Sequence, residues 1–185
     1  MFQLHIPETE LWDEYRKEFI YISACDLNLE HSLISLSKWE SKWKEPFLVR
    51  YRKEPLSRVK LLDYIRCMAI NASSVNPDTY YAITDSMIKS VSEYINDKMT
   101  AAVIKDKPSG GGSGEQVTAD LIYYWMIELG IPFECEKWHL NRLMTLIRIC
   151  EIKSRGPGKK IPLNSQFARN NALTSARRSR LRSKG

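Results

Sequence analysis

A chain of 185 residues with 43% hydrophobic and 27% charged residues can bury one sizeable core and is ordinary for a soluble globular protein. No apolar run approaches the roughly 20 residues that span a bilayer, and the start, MFQLHIPETELWDEY, lacks the basic and apolar blocks of a signal peptide. A cytoplasmic, non-membrane protein is therefore expected. The net charge of +6 averages two unlike parts: all 22 acidic residues lie at or before Glu151, and ten of the 28 Lys and Arg lie after it.

From the N-terminus, Phe2, Leu4 and Ile6 alternate with polar residues, which predicts a strand closed by Pro7. Residues 18–23 are rich in aromatic and β-branched side chains and predict a second strand, with Trp12 and Tyr15 packed between the two. From Glu30 the period becomes helical: Leu33, Ile34, Leu36, Trp39 and Trp43 precede a stop at Pro46. Trp39 and Trp43, four apart, share one helix face, either anchoring the helix to the core or gripping a partner. A short basic region at Arg50, Arg52 and Lys53 follows, then a helix over about 56–69 and a polar loop from Asn71 to Asn76. Pro77 opens a helical turn, and Thr84 caps a helix through Ile95. Residues 98–105 fit a helix extension or a short strand, and the Gly/Ser segment 108–114 reads as a flexible loop.

Val117–Cys150 holds the densest apolar content and is read as the stretch around which the chain is organised. Thr118 caps its first helix, Gly130 and Pro132 break it, and a second helix carries Trp138, Leu140, Leu143, Met144, Ile147 and Cys150. The expected fold is mainly α with a small N-terminal β-hairpin, an α+β helical bundle with a helical hairpin at 117–150. One compact domain covers 1–152, and a basic extension covers 153–185.

No catalytic signature accompanies these elements. A phosphate loop requires Lys and Ser/Thr after its glycines, but Gly114 is followed by Glu115 and Gln116, whose carboxylate would repel a triphosphate. Cys135 and His139 stand at helical spacing, yet no second ligand pair completes a zinc site. GxSxG is absent, and Glu134 and Glu136 fit a helix start electrostatically. The four scattered cysteines suit packed thiols better than disulfides. Neither an enzyme, a cofactor nor a metal is expected. The basic extension, with Arg177, Arg178, Arg180 and Arg182, fits docking on an acidic protein surface, electrostatic contact with nucleic acid, or a solvated tail. Only Phe167 among its residues could stack on a base.

Three phrases carry a family resemblance: LEHSLISLSKWESKWKEPFL (Leu29–Leu48), TADLIYYWMIELGIPFECEKWHLNRLMTLIRIC (Thr118–Cys150) and ARNNALTSARRSRLRSKG (Ala168–Gly185). They resemble proteins encoded by tailed bacteriophages in the structural gene cluster near the tail genes, and the resemblance spans most of the chain. It implies a tail assembly chaperone, which keeps the tape-measure protein soluble in the host cytoplasm while the tail tube polymerises. The alternative it implies is a virion component at the neck or tail junction whose basic end braces neighbouring subunits or DNA. Partner-binding residues under either reading are Trp39, Trp43, Trp125 and Trp138 on the helices and Arg177, Arg178, Arg180 and Arg182 in the tail. Self-association into a homo-oligomer is compatible with both.

Overall fold

A computed structural model describes residues 1–53, 56–102 and 116–154. The chain divides into two units, Met1–Cys150 and Glu151–Gly185, and in the second the described residues are 151–154. The first is mainly helical with an N-terminal β element, as expected. The Gly/Ser segment at 108–114 and the tail arginines Arg177, Arg178, Arg180 and Arg182 lie outside the described residues.

The β element is a long antiparallel ribbon of four strands: β1 (Phe2–Ile6), β2 (Thr9–Asp13), β3 (Glu18–Ile22) and β4 (Cys25–Leu29). β1 pairs with β4 and β2 with β3, each as a two-stranded sheet. One register runs through both, from Phe2 opposite Leu29 to Asp13 opposite Glu18. The ladder is interrupted at Pro7 and Glu8, because proline has no N–H to contribute. Both expected strands are present, each paired with a further strand that was not expected: residues 2–6 meet 25–29, and 18–22 meet 9–13. Trp12 and Tyr15 do not pack between strands; they are 52% and 97% exposed.

Alternation gives the ribbon two faces. Leu4, Ile6, Leu27 and Leu29 lie on one face of the proximal half and are buried. The opposite proximal face is polar, where Asp26 accepts hydrogen bonds from Gln3 Nε2 at 3.1 Å and pairs with His5 Nδ1 at 2.8 Å.

α1 (Leu33–Trp43) is the helix on which the others converge. It packs against α2 (Phe47–Lys53), α3 (Arg58–Met68), α5 (Ala119–Glu128) and the 3-10 turn Phe133–Lys137. Ser32 caps its start in a reciprocal box with Ser35. Lys44, in the left-handed region at φ 55°, ends it two residues before Pro46. Leu33, Leu36 and Trp39 point into the core, and Trp39 meets Phe47 edge-on with ring centroids 5.0 Å apart. Phe47 in turn stacks on Tyr64 at 3.8 Å. Glu40 joins the starts of two helices, its carboxylate accepting from Phe47 N at 2.9 Å and Ala119 N at 2.7 Å.

α3 closes against β4, and the chain after it covers the ribbon's proximal edge. Ile70 N donates to the Asn28 carbonyl at 2.8 Å, Glu30 N donates to the Met68 carbonyl at 3.0 Å, and Asn71 bridges the Asn28 N–H and the Asp26 carbonyl. α4 (Asp85–Asn96) lies on β1 with Thr84 as its cap, and Tyr94 stacks on Phe2 at 5.2 Å. Thr118 caps α5, Gly130 at φ 65° turns the chain out of it, and α6 (Leu140–Ser154) follows the 3-10 turn. Two helices are present at 117–150 as expected, but a 3-10 turn rather than a tight break at 130–132 joins them, Trp138 precedes the second helix rather than lying on it, and α1 rather than this stretch is the hub. No helix among the described residues is long and apolar enough to cross a membrane.

Candidate interaction surface on the distal ribbon

The four tryptophans expected to bind a partner occupy unequal positions. Trp39 is fully buried, with its indole N–H donating to the Lys60 carbonyl at 3.0 Å, so the gripping role is corrected to a core role. Trp43 is half-buried. Its N–H donates to Asp63 Oδ2 at 2.8 Å, and Lys60 Nζ lies 5.0 Å from its ring centre. Trp138 is half-buried beneath the Arg142 guanidinium at 4.3 Å. Trp125 is also half-buried, packed against the core. The exposed apolar side chains around it are Tyr124 and Ile127 on α5 and Phe133 beyond it.

A second set of aromatics, not singled out by the helical periodicity, is far more exposed. On the distal ribbon, Trp12 lies opposite Phe19, and Glu10 opposite Tyr21. Alternation puts these four on one face of the distal pair, opposite Leu11, Ile20 and Ile22. Here the face is bare: Phe19 is 69% and Tyr21 57% exposed, and Trp12 meets Phe19 edge-on at 5.0 Å. The opposite distal face, with Leu11, Ile20 and Ile22, turns toward the body, where β3 packs on the 3-10 turn Pro77–Ala82. An open groove of about 630 Å³ lies at this seam, walled by the ribbon tip, Asp78 and Tyr81.

Local chemistry holds the tip in place. Asp13 Oδ1 accepts from the Tyr15 and Arg16 amides at 2.8 and 3.1 Å, and Lys17, at φ 54°, closes the turn onto the Asp13 carbonyl. Arg16 reaches Asp13 at 3.6 Å and Asp78 at 3.5 Å, tying the turn to the body. Tyr21 donates to Glu8 Oε2 at 2.9 Å. This bond, together with the charges of Glu8 and Glu10, raises the Tyr21 phenol above its usual range. Among the described residues, β2 and β3 make backbone hydrogen bonds only with each other and across their turn, so both outer edges are open.

The buried histidines form the other polar cluster. His31 Nδ1 lies 2.5 Å from the Tyr64 hydroxyl, and its ring centre lies 5.2 Å from that of His139. His139 Nε2 pairs with the Tyr94 carbonyl at 3.1 Å, and the Tyr94 hydroxyl donates to Glu30 Oε1 at 2.6 Å. Burial, with the neighbouring His139, pushes His31 down to about 3. Cys135 and His139 do not share a helix face: Cys135 sits in a 3-10 turn and His139 precedes α6. Among the described residues, no three His, Cys, Asp or Glu side chains converge to hold a metal. Both histidines are buried and their partners are protein atoms, so the cluster knits the ends of β4, α3, α4 and α6 together.

Comparison with known proteins finds no matching family model, no matching characterised protein and no matching solved structure.

Proposed function

We propose that the chain is a non-catalytic docking protein that holds another macromolecule on the outer face of its distal ribbon. The carrying observation is a contiguous aromatic face, Trp12, Phe19 and Tyr21, left in water on a well-braced strand pair. Exposed aromatics on a rigid support provide contact area at little cost in side-chain entropy.

With the resemblance of Leu29–Leu48 and Thr118–Cys150 to tailed-phage proteins, the role proposed is tail assembly chaperone. The client is the tape-measure protein, held in the host cytoplasm during assembly. The competing role is a neck or tail-junction component, and the concentration of ten cations after Glu151 favours it, since a cationic end suits bracing against DNA or acidic subunits.

Co-expression with the tape-measure protein tests the first role: the client stays soluble with the native chain and precipitates with Trp12→Ala/Phe19→Ala. A client equally soluble with and without this protein contradicts it. Mass spectrometry of purified virions separates the two roles, because a chaperone is absent from mature particles and a junction protein is present in fixed copy number.

A further inference from the structure

Residues 8–22 carry five carboxylates, Glu8, Glu10, Asp13, Glu14 and Glu18, against two cations, Arg16 and Lys17. Both cations are in the turn, and Arg16 is already paired with Asp13 and Asp78. Asp13 and Glu18 belong to the opposite face, so the aromatic face combines electron-rich rings with the negative field of Glu8 and Glu10, neither of which forms an ion pair among the described residues. Phosphate-bearing partners are repelled by that field. A second copy docked face to face would set Glu8 and Glu10 against their own equivalents, and like charges brought together oppose such a dimer. A cation is attracted by both features, by the rings through their quadrupoles and by the carboxylates through their charge. The open edges of β2 and β3 leave backbone groups for an extended chain to pair with.

We propose that this surface receives a Lys or Arg side chain from an extended segment of a partner protein, laid on Trp12 and Tyr21 with Glu8 and Glu10 as counter-charges. The proposal rests on the docking reading above and adds the chemistry of the partner. Within it, Glu8 has two tasks. It accepts from the Tyr21 hydroxyl, which orients that ring, and it contributes charge at the end of the aromatic row.

The test is a nuclear magnetic resonance titration of the full chain with three synthetic peptides of equal apolar content. One carries Lys and Arg, one Gln and one Glu at the same positions. The cationic peptide is expected to shift the Trp12 indole N–H and the amides around Glu10 and Tyr21, with affinity that falls as salt rises. Glu8→Gln/Glu10→Gln should weaken it roughly three- to tenfold and leave the Gln peptide unchanged. Trp12→Ala/Phe19→Ala, with both residues exposed and the fold checked by circular dichroism, should abolish the shifts from the cationic peptide. Equal shifts from the Gln and cationic peptides would overturn the cationic partner while leaving apolar docking intact. Concentration-dependent shifts at Trp12 without peptide would make a second copy the occupant and overturn it. Ribbon resonances that no peptide moves, in a chain whose client nonetheless protects other residues, would overturn both.

Discussion

The two halves of the ribbon share a register and an alternating pattern but differ in what covers them. In the proximal half the apolar face is filled by helices, with Ile6, Leu27 and Leu29 fully buried, and the outer edge is bonded by Ile70 and Asn71. In the distal half one face carries Trp12, Phe19 and Tyr21 into water, and among the described residues both edges are open. A strand pair ordinarily turns one apolar face to a core; here the distal pair does so with Leu11, Ile20 and Ile22 and bears aromatic side chains on its other face as well. The proximal half is the anchor in the core, and the distal half is an arm whose exposed aromatic face is the docking surface we propose.

That contrast predicts unequal responses to similar substitutions. Leu27→Ala, in the anchor, removes a buried side chain and should cost about 2–5 kcal/mol, seen as a lower urea midpoint with an unchanged slope. A cost near zero would mean that the proximal face is not the packed one. Acid should act at the same end. His31 follows β4, and its folded value of about 3 lies below the ordinary 6.5, so the unfolded chain takes up a proton that the folded chain refuses. Stability should therefore be complete above about pH 6.5 and fall as pH drops from there toward 3. A His31→Gln variant should show a shallower decline over that window. An identical pH profile for variant and native chain would remove the histidine from the account.

In the arm the effects shrink. Asp13→Ala takes the cap from the turn and should cost about 0.5–2 kcal/mol, read as faster amide exchange at Tyr15 and Arg16. Exchange that quickens equally in α3 would show that the turn is coupled to the whole fold rather than to the arm. Trp12→Ala should change stability least, within about 0.5 kcal/mol, while weakening partner capture. A large loss of stability there would make the arm part of the core.

The sequence exposes local chemistry more readily than tertiary cover. Thr84 and Thr118 stand as caps where the polar-to-apolar transition predicted them, and Gly130 turns the chain where a helix stop was expected. β4 escaped the pattern because Asp26 and Asn28, poor strand formers, sit between Cys25, Leu27 and Leu29. α2 escaped it because its seven residues follow a proline and read as a basic connector. The tryptophans show the limit most directly. Spacing placed Trp39 and Trp43 on one helix face, but only the packing of Phe47 and Tyr64 shows that Trp39 is interior. Alternation likewise places Trp12 on an apolar face, yet whether that face is dry depends on where the helices end. Aromatic density points to the helices, yet the four tryptophans on or beside them are buried or half-buried while Trp12, Phe19 and Tyr21 on the ribbon are exposed.

Side-chain footprinting of the native chain, alone and co-purified with its partner, tests the arm most directly. Trp12, Phe19 and Tyr21 should lose most of their hydroxyl-radical labelling in the complex, while Tyr124 and Ile127 on α5 keep theirs. Protection of α5 with unchanged labelling along the ribbon would contradict the account.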